Sequence, residues 1–454
     1  MAIATINPYD GNHVKSFSAS TARKINAVLA GAAQAVPDWS GMEFAGRAAL
    51  MRRAAAVLRS GSGHWARLMT LEMGKTAREA RAEIEKCAAA CEFYAAHARD
   101  FLADTRIESD AGLSYVSFFP LGTILGVMPW NFPFWQVFRF AAPALMAGNT
   151  VLLKHASNVP QCALAIETIF RESGFPDGVF GLLLISGSDV GKVIADPRVH
   201  AVSVTGSEEA GRSIATAAGS ALKKTVLELG GSDAFIVLED ADLEAAAATG
   251  VASRYINGGQ SCIAAKRFIL VDPVARDFIE LFRRKAGALR QGDPAAEDTD
   301  VGPMARADLR DHLHRQVRES IERGAVALMG CAPAAGPGFF YDISLLDRVT
   351  AGMPAYDEEI FGPVAVMIHA RDEEDALRIA NDSRYGLGGS IWTRDIPRGE
   401  RLARRLQSGS AFVNGLVKSD ARLPFGGIKA SGYGRELSVL GIREFVNAKT
   451  VWIS

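Results

Sequence analysis

The chain has 454 residues, 48% hydrophobic and 22% charged, and this length exceeds one ordinary hydrophobic core, so we expect two or more domains. Its formal net charge is -1, from 50 Lys and Arg against 51 Asp and Glu, which argues against nucleic acid or a membrane surface as a partner. The five cysteines form no CxxC pair, and the first residues lack a basic stretch followed by an apolar one. We therefore expect no disulfide framework, no metal site and a cytoplasmic location.

The first predicted elements are helices, because residues 21 to 103 are rich in Ala, Arg, Glu and Leu, with apolar positions at helical spacing. No charge occurs in residues 111 to 138, a segment long enough to cross a membrane. Pro120, Pro129 and Pro133 interrupt it, so we interpret it as short strands and turns.

From residue 120 onward, short β-prone runs alternate with helical stretches. VSVTGS (202–207), for example, precedes the helical AGRSIATAAGS (210–220). Such alternation predicts a parallel sheet covered by helices. A second region of this kind begins near DAFIVLE (233–239), and the seam lies at residues 227 to 233. We predict two closely packed α/β domains.

A glycine turn, GSEEAGRS (206–213), follows the predicted strand VSV. Its spacing is that of a phosphate-binding P-loop, but Arg212 stands where the P-loop lysine belongs. We therefore predict that this turn presents a helix N-terminus to an anion or a cofactor.

Two polar residues in apolar surroundings are candidate catalytic groups. Glu228 lies within the strand-like run VLELGG. Burial there would raise its pKa, which suits a general base that works near neutral pH. A water-facing glutamate on an edge strand is the alternative. Asn131, in PWNFP (129–133), has an amide that can stabilise an oxyanion, although capping a helix is also a common role of Asn.

A single cysteine lies in the glycine-rich stretch NGGQSCIAAKR (257–267). Because glycine costs backbone entropy, Gly258 and Gly259 indicate that another group approaches the backbone beside Cys262. A thiol in this setting is a candidate nucleophile, and a buried small hydrophobe is the alternative. The eight histidines are dispersed, which argues against a Cys–His peptidase.

Motifs spread along the whole chain extend this interpretation. They are PWNFP (129–133), LLKHAS (152–157), VTGS (204–207), LELGGSD (227–233), GQSC (259–262), EEIFGPV (358–364), PFGG (424–427) and KASGYGRE (429–436). With these motifs in this order, the sequence resembles the NAD(P)-dependent aldehyde dehydrogenase superfamily. Residues 130–149, 154–161 and 414–427 are most similar to the bacterial succinate-semialdehyde dehydrogenases.

The resemblance implies that an aldehyde is oxidised to its acid through a cysteine thioester. Cys262 would attack the carbonyl as a thiolate, while the amide of Asn131 and the backbone N–H of Cys262 hold the oxyanion. Hydride would pass to NAD(P). Glu228 would then activate the water that hydrolyses the thioester.

The resemblance also implies the cofactor contacts. The matching positions are Trp130, Asn131, Lys154, Ser157, Gly206, Ser207, Leu229, Glu359 and Phe361. Members that use only NAD commonly have a glutamate three residues after the lysine, where this chain has Ser157. Serine does not repel a 2′-phosphate, so we predict a preference for NADP. If Ser157 is only a small, tolerant residue, NAD binds as well.

The substrate is predicted from an isolated charge. Arg139 is the only charged residue between Asn131 and Asn149, and a buried guanidinium needs a partner. Trp135 lies one helical turn before it, and the resemblance puts Ser419 at the same tunnel. We predict a short aldehyde with a distal carboxylate, and succinate semialdehyde is the substrate we expect. An arginine that reaches solvent or an internal carboxylate is the alternative.

The implied fold has two Rossmann-like parallel-sheet domains and a small arm of strands that joins subunits. The predicted parts are residues 1–111 with 122–229 for the cofactor-binding domain, 230–430 for the catalytic domain, and 112–121 with 431–454 for the oligomerisation arm. The C-terminal sequence FVNAKTVWIS is β-prone, and exposed strand edges tend to find partners. We expect a homodimer or a tetramer.

Two alternatives within the superfamily stay open. A CoA-acylating relative passes the acyl group to a thiol, but such relatives usually lack the general-base glutamate that LELGGSD contains. A non-catalytic relative would keep only the fold. The presence of Cys262, Glu228 and Asn131 argues against it.

Overall fold

The computed structural model describes residues 3–454. Its helices in chain order are α1 (Ala22–Gly41), α2 (Phe44–Ser60), α3 (Ser62–Met73), α4 (Ala77–Phe101), α5 (Trp135–Met146), α6 (Pro160–Glu172), α7 (Val190–Ala195), α8 (Glu208–Ser220), α9 (Leu243–Tyr255), α10 (Asp272–Gly287), α11 (Ala307–Glu322), α12 (Pro354–Asp357), α13 (Glu373–Asn381), α14 (Ile396–Arg405) and α15 (Ser438–Arg443). Short 3-10 turns occupy Gly187–Asp189 and Ile256–Gly259.

The strands fall mainly after residue 104. In chain order they are β1 (Ile3–Ile6), β2 (His13–Phe17), β3 (Thr105–Arg106), β4 (Leu113–Pro120), β5 (Thr123–Met128), β6 (Thr150–His155), β7 (Phe180–Leu182), β8 (Ala201–Thr205), β9 (Lys224–Glu228), β10 (Asp233–Val237), β11 (Ala265–Val271), β12 (Val326–Met329), β13 (Ser344–Asp347), β14 (Val364–Ala370), β15 (Tyr385–Gly386), β16 (Gly389–Trp392), β17 (Phe412–Val413), β18 (Ile428–Lys429), β19 (Gly432–Tyr433) and β20 (Val446–Ile453).

The first large sheet has the strand order β19-β9-β8-β5-β6-β7. Strands β5 to β9 pair in parallel, and β19 pairs antiparallel with β9. Strands β5, β6 and β8 are buried almost throughout, as expected where helices cover both faces of a parallel sheet. The chain runs outward from β5 to one side and returns on the other at β8. In open α/β sheets, ligands bind beside the carboxyl ends of the strands at such a reversal.

The second large sheet has the order β12-β13-β14-β11-β10-β16-β17. Its strands pair in parallel, except that β12 is antiparallel to β13. A hydrophobic core surrounds each large sheet, and the core of the first sheet includes the buried faces of α2, α4, α5 and α6. The predicted α/β fold with two parallel-sheet domains is therefore confirmed.

A third, antiparallel sheet has the order β20-β4-β3. Strands β4 and β20 pair from Leu113 with Ile453 to Pro120 with Val446, so both lie in the segments predicted to form the arm. Strand β19, also in the predicted arm, pairs with the first sheet instead. The exact division into domains and the subunit-joining role of the arm stay predictions.

The uncharged segment of residues 111 to 138 forms β4, β5 and the start of α5, in line with the strands and turns expected there. None of the helices within residues 3–454 combines the length and apolarity needed to span a bilayer.

Candidate active site

Two cavities meet at Cys262. The first, of about 400 Å³, lies beside the carboxyl ends of β5 and β8 and is lined by residues that include Cys262 and Gln136. The second, of about 110 Å³, is also lined by Cys262 and Gln136. Cys262 as a residue is partly exposed. It therefore lies at the junction of a larger and a smaller space.

The structure brings most of the predicted site residues to these two cavities. The first cavity is lined by Trp130, Asn131, Gly206, Ser207, Leu229, Glu359 and Phe361. The second is lined by Trp135, Arg139 and Ser419. Lys154, Ser157 and Glu228 line neither one.

A run of left-handed backbone precedes the thiol. Asn257, Gly258 and Gly259 have φ values of 54°, 62° and 74°, a region that glycine tolerates and that asparagine adopts more readily than most residues. A Cβ on Gly259 would lie 2.1 Å from the carbonyl oxygen of Gly362, so this close approach requires glycine. The Glu79 carboxylate accepts the N–H of Asn257 at 2.7 Å and holds the start of the run.

Asn131 is fixed against the same loop. Its Nδ2 donates to the carbonyl of Gln260 at 2.9 Å, and its Oδ1 accepts from Gln136 Nε2 at 3.0 Å. An amide nitrogen has two N–H donors, so one remains for an oxyanion. Helix α5 begins later, at Trp135, and Phe134 occupies its N-cap position. Asn131 is therefore not the cap of that helix.

Burial raises the pKa of the Cys262 thiol to about 11, and the positive charges of Arg139 and Lys266 partly oppose this shift. Lys266 Nζ donates to the carbonyl of Cys262 at 2.8 Å and lies 3.3 Å from Glu359 Oε1. The thiol is therefore protonated at neutral pH before a ligand binds. Lys266 was not predicted from the sequence. The signal that could have identified it is a charged residue within the run that forms the buried strand β11.

Glu228 is the last residue of β9, which lies between β8 and β19, and the residue is only 2% exposed. It is not the water-facing edge residue considered as an alternative. Neither carboxylate oxygen has a hydrogen-bond partner among residues 3–454. Burial raises the pKa of Glu228 well above its usual value, the nearby carboxylate of Glu436 adds to the rise, and Arg139 opposes it. Burial therefore favours the neutral acid over the carboxylate at this position.

Arg139 has an internal partner. Its guanidinium forms an ion pair with Glu436, and both side chains are 3% exposed. One guanidinium nitrogen also donates to Thr205 Oγ1 at 3.2 Å, and the group stacks on the ring of Phe425 with 4.6 Å to the centroid. The alternative of an internal carboxylate therefore describes the main contact of Arg139, although the residue also lines the second cavity.

Other side chains that line the first cavity are held by local contacts. Glu359 Oε1 accepts the N–H of Gly231 at 3.0 Å. The rings of Trp130 and Phe361 pack edge to face with 5.9 Å between centroids. Ser207 caps α8 by accepting the N–H of Ala210, so the positive end of the helix dipole points to the cavity.

Lys154 and Ser157 lie farther along the same edge of the first sheet. Lys154 is near the carboxyl end of β6, adjacent to β5, and burial lowers the pKa of its ammonium group. The carbonyl of Ser157 accepts the N–H of Ala4 at 3.1 Å, which ties this turn to β1.

Helix α4 supplies site contacts that sequence reasoning missed. Glu79, Glu83 and Lys86 follow one another at helical spacing. Glu83 Oε1 accepts the N–H groups of Phe134 and Trp135, each at 2.9 Å, and Glu83 also pairs with Lys75. Lys86 reaches the second cavity. The sequence signal that could have identified these residues is their charge, repeated one helical turn apart next to the buried face of α4.

The fold and this arrangement around a single thiol are those of an aldehyde dehydrogenase. The chain belongs to the aldehyde dehydrogenase family, whose sequence profile matches residues 1–451, so the resemblance noted above is confirmed. It is 51% identical over 454 residues to a probable NADP(+) succinate-semialdehyde dehydrogenase of Synechocystis sp., with 100% of each chain covered.

Two further comparisons agree. A succinate-semialdehyde dehydrogenase [NADP(+)] 1 of Mycobacterium tuberculosis is 48% identical over 457 residues, with 100% of each chain covered. The crystal structure of succinic semialdehyde dehydrogenase from Streptococcus pyogenes in complex with NADP+ superposes with a TM-score of 0.97 at 39% identity, covering 99% of each chain.

Proposed function

We propose that this protein oxidises succinate semialdehyde to succinate with NADP as the hydride acceptor. The observation that carries the proposal is the position of Cys262 at the junction of two cavities. One cavity has the size and contacts for a nucleotide, and the other is small, largely apolar and partly cationic. The names of full-length relatives at 48% and 51% identity support the same substrate and cofactor.

The residues of the first cavity fit a dinucleotide. The N-terminus of α8 suits the pyrophosphate, and no atom lies closer than 3.8 Å to a Cβ built on Gly206, which leaves room for a close approach. Glu359 would hold a ribose, and Phe361 would pack beside the nicotinamide. When bound, NADP supplies the acceptor for the hydride that leaves the substrate carbon.

Discrimination between NADP and NAD is assigned to Lys154 and Ser157. A serine at position 157 neither repels nor excludes a 2′-phosphate, and the Lys154 ammonium supplies a positive charge at the same edge of the sheet. NAD, which lacks the phosphate, is expected to bind less well.

The chain supplies the nucleophile and the oxyanion site. The Cys262 thiol first gives its proton to water in the site. The thiolate then attacks the aldehyde carbon, a C–S bond forms, and the carbonyl electron pair moves to oxygen. The free N–H of Asn131 Nδ2 and the backbone N–H of Cys262 stabilise that oxyanion. When the carbonyl re-forms, the hydride leaves carbon and the acyl group remains on sulfur as a thioester.

Glu228 is proposed to activate the water that cleaves the thioester. Its carboxyl group has no hydrogen-bond partner among residues 3–454, so rotation towards the Cys262 junction breaks no hydrogen bond. Once the side chain meets water there, its pKa falls and the carboxylate accepts a proton from the attacking water. The C–S bond breaks, the acid leaves, and the proton held by Glu228 passes to the Cys262 sulfur, which restores the thiol and the carboxylate.

The second cavity supports a short substrate. Its volume of about 110 Å³ accommodates a chain of only a few heavy atoms, and its walls combine aromatic rings with cationic groups. In this cavity, Trp135 and Ser419 would contact the substrate. Arg139 contributes positive potential, although Glu436 pairs with it.

We also propose a cytoplasmic homodimer or tetramer built through β4 and β20. The sheet of these strands exposes Phe119 and Trp452, at 43% and 51%, and exposed aromatic groups on a strand pair favour association. A monomer mass in light scattering at micromolar concentration would contradict this assembly.

The test of function is a steady-state assay of the purified chain with succinate semialdehyde and with butanal, each with NADP and with NAD. We expect the highest kcat/KM with succinate semialdehyde and NADP, succinate as the product, and no turnover by Cys262→Ala, which should still bind NADP. Preference for the uncharged aldehyde would reject the proposed substrate. Turnover by Cys262→Ala would reject the proposed nucleophile.

A further inference from the structure

We infer that Lys86 is the cation that binds the distal carboxylate of the substrate, with Ser419 as its neutral partner. This inference rests on the proposed function, since it identifies the recognition group for that substrate class. Lys86, Ser419 and Cys262 line the same second cavity.

The contacts of Lys86 orient it into that cavity. Its Nζ donates to Ser419 Oγ at 2.7 Å and lies 4.3 Å from the centroid of the Trp135 ring. Because the ammonium donates to Ser419 Oγ, the hydroxyl proton of Ser419 is left to donate elsewhere. An N–H of Lys86 and the O–H of Ser419 can thus reach the same carboxylate.

The neighbouring buried cations already have carboxylate partners, and Lys86 has none within the described part of the chain. Lys75 pairs with Glu83, and Arg139 pairs with Glu436. Among residues 3–454, the partners of the Lys86 ammonium are a hydroxyl and an aromatic ring, with no carboxylate at ion-pair distance. A partly buried charge without a counter-ion is costly, and an anionic ligand would remove that cost.

The electrostatic state of Lys86 agrees with this arrangement. Burial lowers its pKa to about 8, and the positive charge of Arg139 adds to the shift. The group is therefore charged at neutral pH and loses its proton just above it. A bound carboxylate would raise this pKa again.

The ligand class follows from the cavity. A volume of about 110 Å³ between Cys262 and Lys86 holds a short chain, with the aldehyde at the thiol and the anion at the ammonium. An uncharged aldehyde of equal length leaves Lys86 unpaired. Lys86 is therefore a specificity-determining residue for acid-bearing aldehydes.

The experiment compares Lys86→Met with wild type, using succinate semialdehyde and butanal with saturating NADP. We expect the KM for succinate semialdehyde to rise on the order of 10- to 100-fold, the effect of losing one charge-assisted contact. The kinetics with butanal should stay within about 2-fold, the scatter of an uncoupled change, which also reports that the variant is folded. Lys86→Arg should recover part of the loss.

Arg81→Met is the matched control, because it removes a cation from the same helix whose partner is the surface residue Glu297. This variant should leave the kinetics with both aldehydes unchanged. Lys418→Met tests the other lysine that lines the cavity; its side chain is exposed, so its loss should matter less than that of Lys86. A larger effect at Lys418, an equal loss for both aldehydes in Lys86→Met, or an unchanged KM for succinate semialdehyde would overturn the inference.

A pH profile covers the case in which Lys86→Met fails to fold. For wild type, the KM for succinate semialdehyde should rise above about pH 8, because Lys86 becomes neutral there; for Lys86→Arg it should stay flat. The groups that act on Lys86 are Arg139, Cys87, Glu83 and Lys75, and Lys418 shares the cavity. If the KM of Lys86→Arg for succinate semialdehyde rises in the same way, a group other than Lys86 titrates, and the inference is overturned.

The failure of the proposed function would look different. Wild type would then show no preference for succinate semialdehyde over butanal. A wild type that prefers the acid-bearing aldehyde, with no effect at Lys86, rejects only the role of Lys86.

Discussion

Asn131 donates a hydrogen bond from Nδ2 to the carbonyl of Gln260, 2.9 Å away, and so joins the turn after β5 to the loop that carries Cys262. Replacement by Ala should lower kcat on the order of 10²- to 10³-fold, because one oxyanion donor is lost. NADP affinity should fall much less than kcat, and the melting temperature should fall only as far as the loss of the two side-chain hydrogen bonds requires. If NADP affinity falls as far as kcat does, Asn131 acts mainly as a tie between the two loops.

Glu228→Gln should separate the two halves of the reaction. Glutamine resembles the neutral acid that burial favours at this position, so the variant should fold normally. We expect a burst of reduced cofactor of about one equivalent per site, followed by slow turnover as the thioester persists. Rapid-mixing absorbance at the reduced-cofactor band measures both phases. Normal steady-state turnover would leave Glu228 with a structural role only.

Ser157→Glu should invert the cofactor preference. A carboxylate at this position would repel a 2′-phosphate and could bond the 2′-hydroxyl of NAD. The ratio of kcat/KM for NADP to that for NAD should fall by roughly tenfold or more, whereas Ser157→Ala should change it much less. A wild-type enzyme that strongly favours NAD would contradict this role of Ser157.

Arg139→Met should destabilise the protein, because it leaves Glu436 buried without its partner. The expected loss in the free energy of unfolding is about 3–5 kcal/mol, and the double variant Arg139→Met with Glu436→Leu should recover much of it. Denaturant unfolding of the three proteins measures this. Activity should fall for both aldehydes, and somewhat more for succinate semialdehyde than for butanal, because the positive potential of Arg139 in the second cavity is lost. A loss confined to succinate semialdehyde would make Arg139 a direct ligand of the carboxylate.

The reactivity of Cys262 should depend on pH in the direction that its burial sets. The thiol has a pKa of about 11, and only the thiolate is alkylated, so the rate of inactivation by iodoacetamide without cofactor should rise steadily from pH 7 towards pH 10. Lys266→Met should lower the rate at a given pH, because it removes a positive charge that favours the thiolate. A rate that is flat across this range would mean that the thiol is already ionised.

The sequence by itself determined the fold class and the chemistry. Alternation of β-prone and helical runs is a local pattern, and it predicted the two parallel sheets because each strand and helix is set by neighbouring residues. The stretch around Cys262 could also be interpreted from the sequence. The left-handed backbone at Asn257, Gly258 and Gly259 requires particular residue types, and these are visible in the sequence. Motifs of that kind are short, so no tertiary contact is needed to find them.

Only the tertiary structure decided which charged side chains have a partner of opposite charge. Arg139 and Glu436 are far apart in the chain, yet they pair in the core, and this pairing removes the isolation that the sequence around Arg139 implied. Charge at one-turn spacing on α4 was the only local signal for Lys86. It did not show that the ammonium donates to Ser419 beside the second cavity, with no carboxylate at ion-pair distance within residues 3–454. The energy of a buried charge depends on every group that packs against it, and the packing of distant segments is what the local pattern does not contain.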